Sequence, residues 1–426
     1  MTRGGRRPLV SERAQRMPAS PIRRLMPVAD EARRRGVRVY HLNIGQPDIE
    51  TPAAFRDRLR ALQEKVYAYT PSGGTPEYLA SLRDYYGRLG IPLEPDQVMA
   101  TTGGSEAVLF AMLACAENGD DVLVVEPFYT NYCAFATMGG IRLVPLTASG
   151  EDGFHLPARP AWERALTPRT RAVILCNPNN PTGTVYTRDE IAMALEFCRD
   201  HGLFLISDEV YRELAYDGRR AVSALSFPGY EDLVVVADSL SKRFSACGIR
   251  LGSLVTRNPD VYQACLRMGQ GRLSAPGLAQ IAACGMGELG PEYFDGMVAE
   301  YQKRRDLLYE GLGRIPGVFL RKPEGAFYFV ARLPIEDADD FARWLLAEFQ
   351  HEGATVMVAP AAGFYATPGL GRNEVRIAYV LNCEDLRAAV RVFAAGLEQY
   401  GKTRRASVAP SPGSAEAPDA RLPSGA

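Results

Sequence analysis

The chain has 426 residues, of which 46% are apolar and 23% charged, a composition that is typical of globular proteins and excludes a mostly disordered chain. Its 49 basic and 50 acidic residues give a formal net charge of −1, which argues against a nucleic-acid-binding protein. The apolar runs are short, residues 122–125 and 233–237 among them, and none approaches the ~20 residues that span a bilayer. The length favours two domains.

Both ends of the chain are predicted to be disordered tails. Residues 1–20 are rich in arginine but contain no apolar segment of a signal peptide; an organelle transit peptide is the alternative interpretation. Residues 402–426 are rich in Pro, Ala and Ser, and such a segment buries too little surface to offset the entropy of ordering it.

The cysteines and histidines form no recognisable metal-binding pattern. The eight cysteines include no CxxC pair, and the four histidines are equally scattered, so no metal site is expected. Scattered free thiols in a chain of this size are typical of a reducing compartment. We therefore expect a cytoplasmic protein that binds neither membranes nor nucleic acids.

Short apolar runs rich in β-branched residues alternate with helical stretches in the middle of the chain. Four runs have the composition of buried strands: 122–125, 172–176, 203–207 and 233–237. Residues 188–201 carry apolar side chains at helical spacing, between a capping box from Thr187 to Glu190 and a terminating Gly202. Strands that are apolar throughout and alternate with helices predict an α/β fold, with a mostly parallel central sheet and helices on both faces.

Polar segments follow three of these predicted strands at their carboxyl ends, the edge at which parallel sheets bind ligands. They supply Asn180 after the first strand, Asp208 and Tyr211 after the second, and Ser239, Ser241 and Lys242 after the third. Lysine is rarely buried without a partner. Position alone leaves a solvated surface charge as an equal alternative for Lys242.

The neighbours of Lys242 indicate a cofactor that carries a phosphate. Ser239 precedes the lysine and Arg250 follows it, and serine hydroxyls with an arginine fork suit a phosphate. Pyridoxal 5'-phosphate is a cofactor with these features, because it has a phosphate, an aldehyde that reacts with a lysine and a ring nitrogen that needs a carboxylate. Asp208 would supply that carboxylate.

Three motifs occur in order before Arg250: Asn180-Pro181-Thr182-Gly183, Asp208-Glu209-Val210-Tyr211 and Ser239-Leu240-Ser241-Lys242. Together they resemble the class I aminotransferases of the fold type I pyridoxal-phosphate superfamily, over about residues 20–400. The resemblance implies a homodimer with shared active sites. It also implies a large cofactor-binding domain over residues 60–300 and a smaller α+β domain that combines residues 21–59 with 301–401.

The resemblance gives each motif residue a role at the cofactor. Lys242 matches the lysine that carries the cofactor and then acts as the general base, and Asp208 matches the aspartate that keeps the ring nitrogen protonated. Asn180 and Tyr211 match the pair on the phenolic oxygen, with Tyr211 counted as catalytic, and Tyr129 matches the aromatic residue stacked on the ring. The phosphate is assigned to Gly104, Ser105, Glu106, Ser239, Ser241 and Arg250, with Tyr69 reaching the phosphate of the neighbouring subunit.

The resemblance also implies how substrates bind and react. Arg376 matches the arginine that binds the α-carboxylate of the amino acid, and the backbone of Gly45 and the side chain of Asn180 contact the substrate. The site would move an amino group from an L-amino acid to a 2-oxo acid with ping-pong kinetics.

The amino donor is predicted to be dicarboxylic, aspartate ahead of glutamate. Some aspartate aminotransferases place a lysine after the paired glycines to bind the distal carboxylate, but this chain has Ser105 there. Others use an arginine of the partner chain shortly before a Ser and a Pro, and Arg272 is displaced by about two residues from that pattern. Arg272 is the predicted ligand, with an interface or surface charge as the alternative.

Three other functions remain open at this point. The donor could instead be a neutral or aromatic amino acid, for which Ser105 would be indifferent. Lyases and decarboxylases use the same fold and the same residues, since a fold does not settle function. A non-catalytic protein that keeps the fold is the third alternative, and Lys242 argues against it.

Overall fold

The computed structural model describes residues 9–408, with side chains described as far as residue 403; the predicted tail segments 1–8 and 409–426 lie outside these residues. The helices are α1 (Glu12–Gln15), α2 (Met26–Arg34), α3 (Ala53–Arg60), α4 (Pro76–Arg88), α5 (Gly104–Cys115), α6 (Asn131–Gly139), α7 (Arg159–Ala165), α8 (Arg188–His201), α9 (Leu240–Arg243), α10 (Pro259–Gly271), α11 (Gly277–Ala283), α12 (Pro291–Gly313), α13 (Ala338–Ala347) and α14 (Cys383–Val408). The strands are β1 (Arg38–His41), β2 (Val98–Thr101), β3 (Asp121–Glu126), β4 (Arg142–Thr147), β5 (Thr170–Cys176), β6 (Phe204–Asp208), β7 (Val234–Ser239), β8 (Gly252–Thr256), β9 (Phe319–Leu320), β10 (Tyr328–Arg332), β11 (Ala354–Met357), β12 (Ala359–Pro360) and β13 (Glu374–Ala378). Among the described helices, none is both long and apolar enough to cross a bilayer.

A seven-stranded sheet with the order β2-β8-β7-β6-β5-β3-β4 is the largest sheet of the described chain. Strands β4, β3, β5, β6 and β7 run parallel to one another, and β8 is antiparallel to both of its neighbours. The four strands predicted from the sequence are present as β3, β5, β6 and β7. The predicted α/β fold with a mostly parallel central sheet is thereby confirmed.

Apolar side chains cover both faces of this sheet. Alternate residues of β5 belong to separate hydrophobic clusters, Val173 and Leu175 to one and Ala172 and Ile174 to the other, because successive side chains of a strand point to opposite faces. Helix α8 packs in the first cluster and has the predicted capping box and left-handed terminating glycine. Helices α5 and α6 pack in the second cluster.

The remaining strands form two smaller sheets. The sheet β12-β13-β10-β9 is antiparallel throughout, and β1 pairs in parallel with β11, so that Tyr40 lies opposite Val356. A hydrophobic cluster that includes Phe329, Phe341 and Phe393 joins β10, α13 and α14. The pairing of β1 with β11 brings an N-terminal and a C-terminal segment together, which supports the proposed smaller α+β domain.

Three observations bear on the predicted domain boundaries, which stay predictions. Phe55 of α3 packs against Phe244, with ring centres 5.2 Å apart, so α3 contacts the predicted large domain. Helix α12 crosses residue 300 without a break. Both predicted tails include helical residues, because Ser11 caps α1 and because residues 402–408 contain no glycine or proline to stop α14.

Four charged side chains are buried together at the carboxyl ends of β6 and β7. The carboxylate of Asp238 accepts both terminal nitrogens of Arg243, at 2.8 and 2.9 Å, and Arg212 Nη2 at 2.7 Å. Glu209 accepts Arg212 Nη1 at 3.0 Å, so two cations meet two carboxylates. Burial raises the pKa of Asp238, but the charges of Arg243 and Arg212 outweigh burial and lower the pKa to about 2.

Asp238→Ala removes the carboxylate that two buried guanidinium groups share. Breaking a buried ion pair by removing one partner costs about 3–5 kcal/mol, and we expect the free energy of unfolding at pH 7, measured with urea, to fall by that amount. Asp200→Ala is the matched control, because Asp200 pairs with Arg159 at the surface, where ion pairs contribute little. Equal losses in the two variants would contradict the importance of the buried network.

Candidate active site

A cavity of about 740 Å³ opens where β5, β6 and β7 end. Parallel strands bring their carboxyl ends to the same edge of the sheet, so the three polar segments predicted from the sequence meet there. Most of the predicted site residues line this cavity: Gly45, Gly104, Ser105, Tyr129, Asn180, Asp208, Tyr211, Ser239, Ser241, Lys242, Arg250 and Arg376.

Lys242 is held in the cavity by the short helix α9. The hydroxyl of Ser239 begins this helix by accepting the backbone N–H of Ser241 at 3.2 Å. Lys242 Nζ donates to the backbone oxygen of Gly45 at 2.8 Å and lies 5.9 Å from the ring centre of Phe327. A carbonyl oxygen therefore holds the amine in place without a salt bridge, and the amine stays available to bond to an aldehyde.

Asp208, the last residue of β6, is only 6% exposed. Its carboxylate accepts the hydroxyl of Tyr132 at 2.6 Å and the backbone N–H of Val210 at 3.3 Å. Burial raises the pKa of Asp208 to about 6, although these two hydrogen bonds act in the opposite direction. A nearby cation favours the ionised form of such a buried carboxylate, and a protonated ring nitrogen would be that cation.

The start of α5 and the segment after β7 together provide donors for an anion. Gly103 enters α5 with a φ of 75°, a conformation that favours glycine, and a Cβ there would lie 2.8 Å from Arg250 Nη2. A Cβ on Gly104 would lie 3.4 Å from Ser239 Cβ, and the hydroxyls of Ser239 and Ser241 are 2.9 Å apart. Helix N–H groups, hydroxyls and a guanidinium at one place suit a phosphate.

Arg376 lies on β13 and is 1% exposed. Its Nη1 donates to Asn180 Oδ1 at 3.0 Å, and its Nη2 donates to the backbone oxygen of Asn43 at 2.6 Å. The guanidinium lies 4.3 Å from the ring centre of Tyr328. Within the described chain its Nε has no hydrogen-bond partner, so this buried cation is suited to a carboxylate from the substrate.

Three tyrosines line the same cavity. The hydroxyls of Tyr211 and Tyr328 are hydrogen-bonded at 2.8 Å, and a Cβ on Gly45 would overlap the hydroxyl of Tyr328, so a larger residue at position 45 would displace that tyrosine. The hydroxyl of Tyr129 accepts Asn131 Nδ2 at 2.8 Å. Burial raises the pKa of Tyr129 to about 12 and also raises the pKa of Tyr211, so both phenols stay protonated at neutral pH.

Three predicted residues do not line the cavity. Tyr69 is 82% exposed, and its role toward a neighbouring subunit stays a prediction. The side chain of Glu106 turns back to accept the backbone N–H of Thr102 at 2.8 Å. Arg272 pairs with Glu106 at 2.9 Å and donates to the backbone oxygen of Ala100 at 2.8 Å. The charge of Arg272 is thus balanced within its own chain, and its contact with a distal carboxylate stays a prediction.

Arg23, Asn43, Tyr132 and Tyr328 are among the residues that sequence reasoning missed, and each lines the cavity or bonds directly to a residue that does. Tyr132 and Tyr328 reach the site through long-range packing, for which the sequence has no local signal. Arg23 is one of many arginines near the N-terminus, and nothing in their spacing distinguishes it.

The donor set of the cavity fits pyridoxal phosphate. Ser239, Ser241, Arg250 and the start of α5 would hold the phosphate, and Lys242 would bond to the aldehyde. When bound, the cofactor supplies a protonated ring that withdraws electrons from the carbon bearing the amino group. Asp208 would hold the proton on the ring nitrogen, and Lys242 Nζ would be the general base that moves the proton of the substrate α-carbon.

The sheet and the cavity at its edge define the chain as a pyridoxal-phosphate-dependent enzyme of fold type I. Residues 37–393 match the family described as aminotransferase class I and II. The chain belongs to this family, and the predicted aminotransferase activity and cofactor are thereby confirmed.

Several known proteins similar to this chain are described as aspartate aminotransferases. The chain is 30% identical over 403 residues to a probable aspartate/prephenate aminotransferase of Aquifex aeolicus, covering 92% of this chain and 99% of that protein. It is 31% identical to an aspartate aminotransferase of Geobacillus stearothermophilus, covering 85% of this chain and 92% of that protein. Two solved structures each superpose with a TM-score of 0.83 over 92% of this chain and 100% of theirs: an aspartate aminotransferase from Thermus thermophilus with maleate, 29% identical, and an alanine aminotransferase from Pyrococcus furiosus, 27% identical.

Lys242→Ala should abolish turnover, because Lys242 is the one lysine among the described residues that line the cavity. The variant should still bind the cofactor through the phosphate donors, but borohydride should no longer fix the cofactor covalently, as read from cofactor absorbance after denaturing gel filtration. Lys322→Ala is the control, because Lys322 does not line this cavity and its Nζ pairs with Asp306 at a distance of 3.1 Å. Near-normal turnover by Lys242→Ala would refute the assigned role.

Proposed function

We propose that this aminotransferase takes a dicarboxylic amino donor, aspartate ahead of glutamate, and passes the amino group to a 2-oxo acid. The main support for this proposal is the excess positive charge of the cavity lining. Among the described residues, its lining holds the cations Arg23, Lys242, Arg250 and Arg376 against the single carboxylate of Asp208. A phosphate and one substrate carboxylate leave positive charge to spare, which favours a substrate with a second carboxylate.

The comparisons support the same substrate class. Aspartate is in the description of both relatives, and the Thermus enzyme is described with maleate, a dicarboxylate. A neutral donor such as alanine is the second candidate. It is favoured by the structural match to an alanine aminotransferase and by the uncharged Ser105 in the cavity lining.

A panel of amino donors tests the substrate class. With the holoenzyme and 2-oxoglutarate as acceptor, we expect kcat/KM for aspartate to exceed that for alanine by about 10-fold or more, since a charge-assisted contact contributes about 1.5–3 kcal/mol. Aspartate alone, without acceptor, should yield one equivalent of 2-oxo acid, which a lyase or decarboxylase would not release. A preference for alanine would refute the dicarboxylic donor and leave the aminotransferase activity standing.

We also propose that the enzyme is a homodimer whose active sites use both subunits. The support is an exposed apolar surface made of two segments: Val66, Tyr67 and Tyr69 of one segment are 76%, 70% and 82% exposed, and Leu273 and Leu278 of the other are 52% and 43% exposed. A hydrogen bond of 3.3 Å from Thr70 Oγ1 to the backbone oxygen of Ala275 holds the two segments together. A contiguous apolar surface of this kind marks an interaction site, and a second copy of the chain would cover it.

Mixing two inactive variants tests whether the sites are shared. Tyr69→Ala should lose most activity if Tyr69 serves the neighbouring subunit. Mixed with Lys242→Ala after gentle denaturation and refolding, it should form hybrid dimers in which one site has both an intact lysine and an intact tyrosine, and activity should return.

The matched control is a mixture of Lys242→Ala with Asp208→Ala. Both residues line the cavity of one chain, so no hybrid dimer can have a complete site and activity should stay low. A mixture of Tyr69→Ala and Lys242→Ala that is no more active than its components would contradict the shared site.

A cytoplasmic location completes the proposal. All eight cysteines are free thiols. Proteins of oxidising compartments commonly carry disulfides, so this supports a reducing compartment.

A further inference from the structure

Among the described cations that line the cavity, Arg23 is the one with no role toward the cofactor or the α-carboxylate. Lys242 would bond to the cofactor, Arg250 would hold its phosphate, and Arg376 is suited to the α-carboxylate. Arg23 lines the same cavity and is exposed. Within the described chain no carboxylate forms an ion pair with it, in contrast to its neighbour Arg24, which pairs with Asp339.

The backbone around Arg23 is fixed relative to Arg376. The backbone N–H groups of Arg23 and Arg24 both donate to the oxygen of Ser20 at 3.1 Å, which forms a tight turn. Asn43 Nδ2 donates to the oxygen of Ile22 at 3.0 Å, and the backbone oxygen of the same Asn43 accepts Arg376 Nη2 at 2.6 Å. One buried asparagine therefore ties the residue before Arg23 to the guanidinium that is suited to the α-carboxylate.

Apolar packing reinforces this connection. Ile22 packs in a cluster with Phe364, and the ring centre of Phe364 lies 5.0 Å from the Arg376 guanidinium. The turn sends two adjacent arginines to different places, Arg24 to Asp339 on α13 and Arg23 to the cavity. The position of Arg23 is thus set by the fold, although its side chain has no counter-charge of its own.

We infer that Arg23 is the specificity-determining residue that binds the distal carboxylate of the amino donor. The inference rests on the proposed dicarboxylic substrate and names the group that recognises it. A guanidinium group and a carboxylate form paired charge-assisted hydrogen bonds. Arg23 has such a group without a carboxylate partner, whereas Ser105 is uncharged and Arg272 pairs with Glu106. Because Arg23 is exposed, its positive charge attracts an incoming dicarboxylate before the substrate is fully bound.

Binding of maleate to the holoenzyme tests the inference without turnover. The change in cofactor absorbance during titration gives Kd, and we expect Arg23→Ala to raise Kd by about 10- to 100-fold. The same variant should lower kcat/KM for aspartate by a similar factor and change kcat/KM for alanine by less than about 3-fold. Arg23→Lys, which keeps the charge but not the fork, should lose less than Arg23→Ala.

Two further variants make the experiment decisive. Arg24→Ala removes an adjacent arginine that lies outside the cavity and should leave Kd and both kcat/KM values unchanged. Arg272→Ala tests the competing assignment, and a selective loss of aspartate activity in that variant would overturn the inference. A maleate Kd of Arg23→Ala equal to that of the wild type, or parallel losses with aspartate and alanine, would overturn it as well.

The wild type separates failure of the inference from failure of the proposed function. If the wild-type enzyme prefers alanine and does not bind maleate, the dicarboxylic substrate is wrong and the inference falls with it. If the wild type prefers aspartate and Arg23→Ala keeps that preference, the substrate class stands and only the role of Arg23 is wrong.

Discussion

The active site depends on a network of four charged side chains that is buried away from water. Asp238 is shared by Arg212 and Arg243, and Glu209 takes the remaining charge of Arg212. Removing any one of these groups leaves a buried charge unpaired, which is costly. Each of the four is next in sequence to a residue that lines the cavity: Glu209 to Asp208, Arg212 to Tyr211, Asp238 to Ser239 and Arg243 to Lys242. The network therefore fixes the ends of β6 and β7, while the adjacent residues in sequence line the cavity.

Much of the fold could be predicted because its signals are local. Each of the four predicted strands, β3, β5, β6 and β7, contains an uninterrupted apolar run, and the helix that follows β5 has its own start and stop residues at Thr187 and Gly202. The antiparallel insertion of β8 between β2 and β7 has no such signal, because it depends on pairing between segments far apart in sequence. The predicted boundary at residue 300 stays a prediction; helix α12 runs through it without a break, and its side chains pack in two hydrophobic clusters.

The site could be predicted where a short motif places a side chain at a strand end. Asn180, Asp208 and Lys242 meet in one cavity because their strands are parallel neighbours. The partners that tune these residues could not be predicted, because Tyr132 reaches Asp208 from a separate helix. The pair between Arg272 and the carboxylate of Glu106 could not be predicted either, because the two residues lie far apart in sequence.

The pairing of β1 with β11 has a consequence for how the enzyme is made. Gly45, just beyond β1, holds the amine of Lys242, so the N-terminal segment is part of the wall of the cavity. A ribosome releases the chain from its N-terminus, and β1 has no partner until β11 has emerged. A nascent chain can therefore build the large parallel sheet while Lys242 still faces open water. The cavity is completed only after β10 to β13 have been synthesised, and a polypeptide that stops earlier would have Lys242 but would lack Tyr328 and Arg376 of the cavity wall.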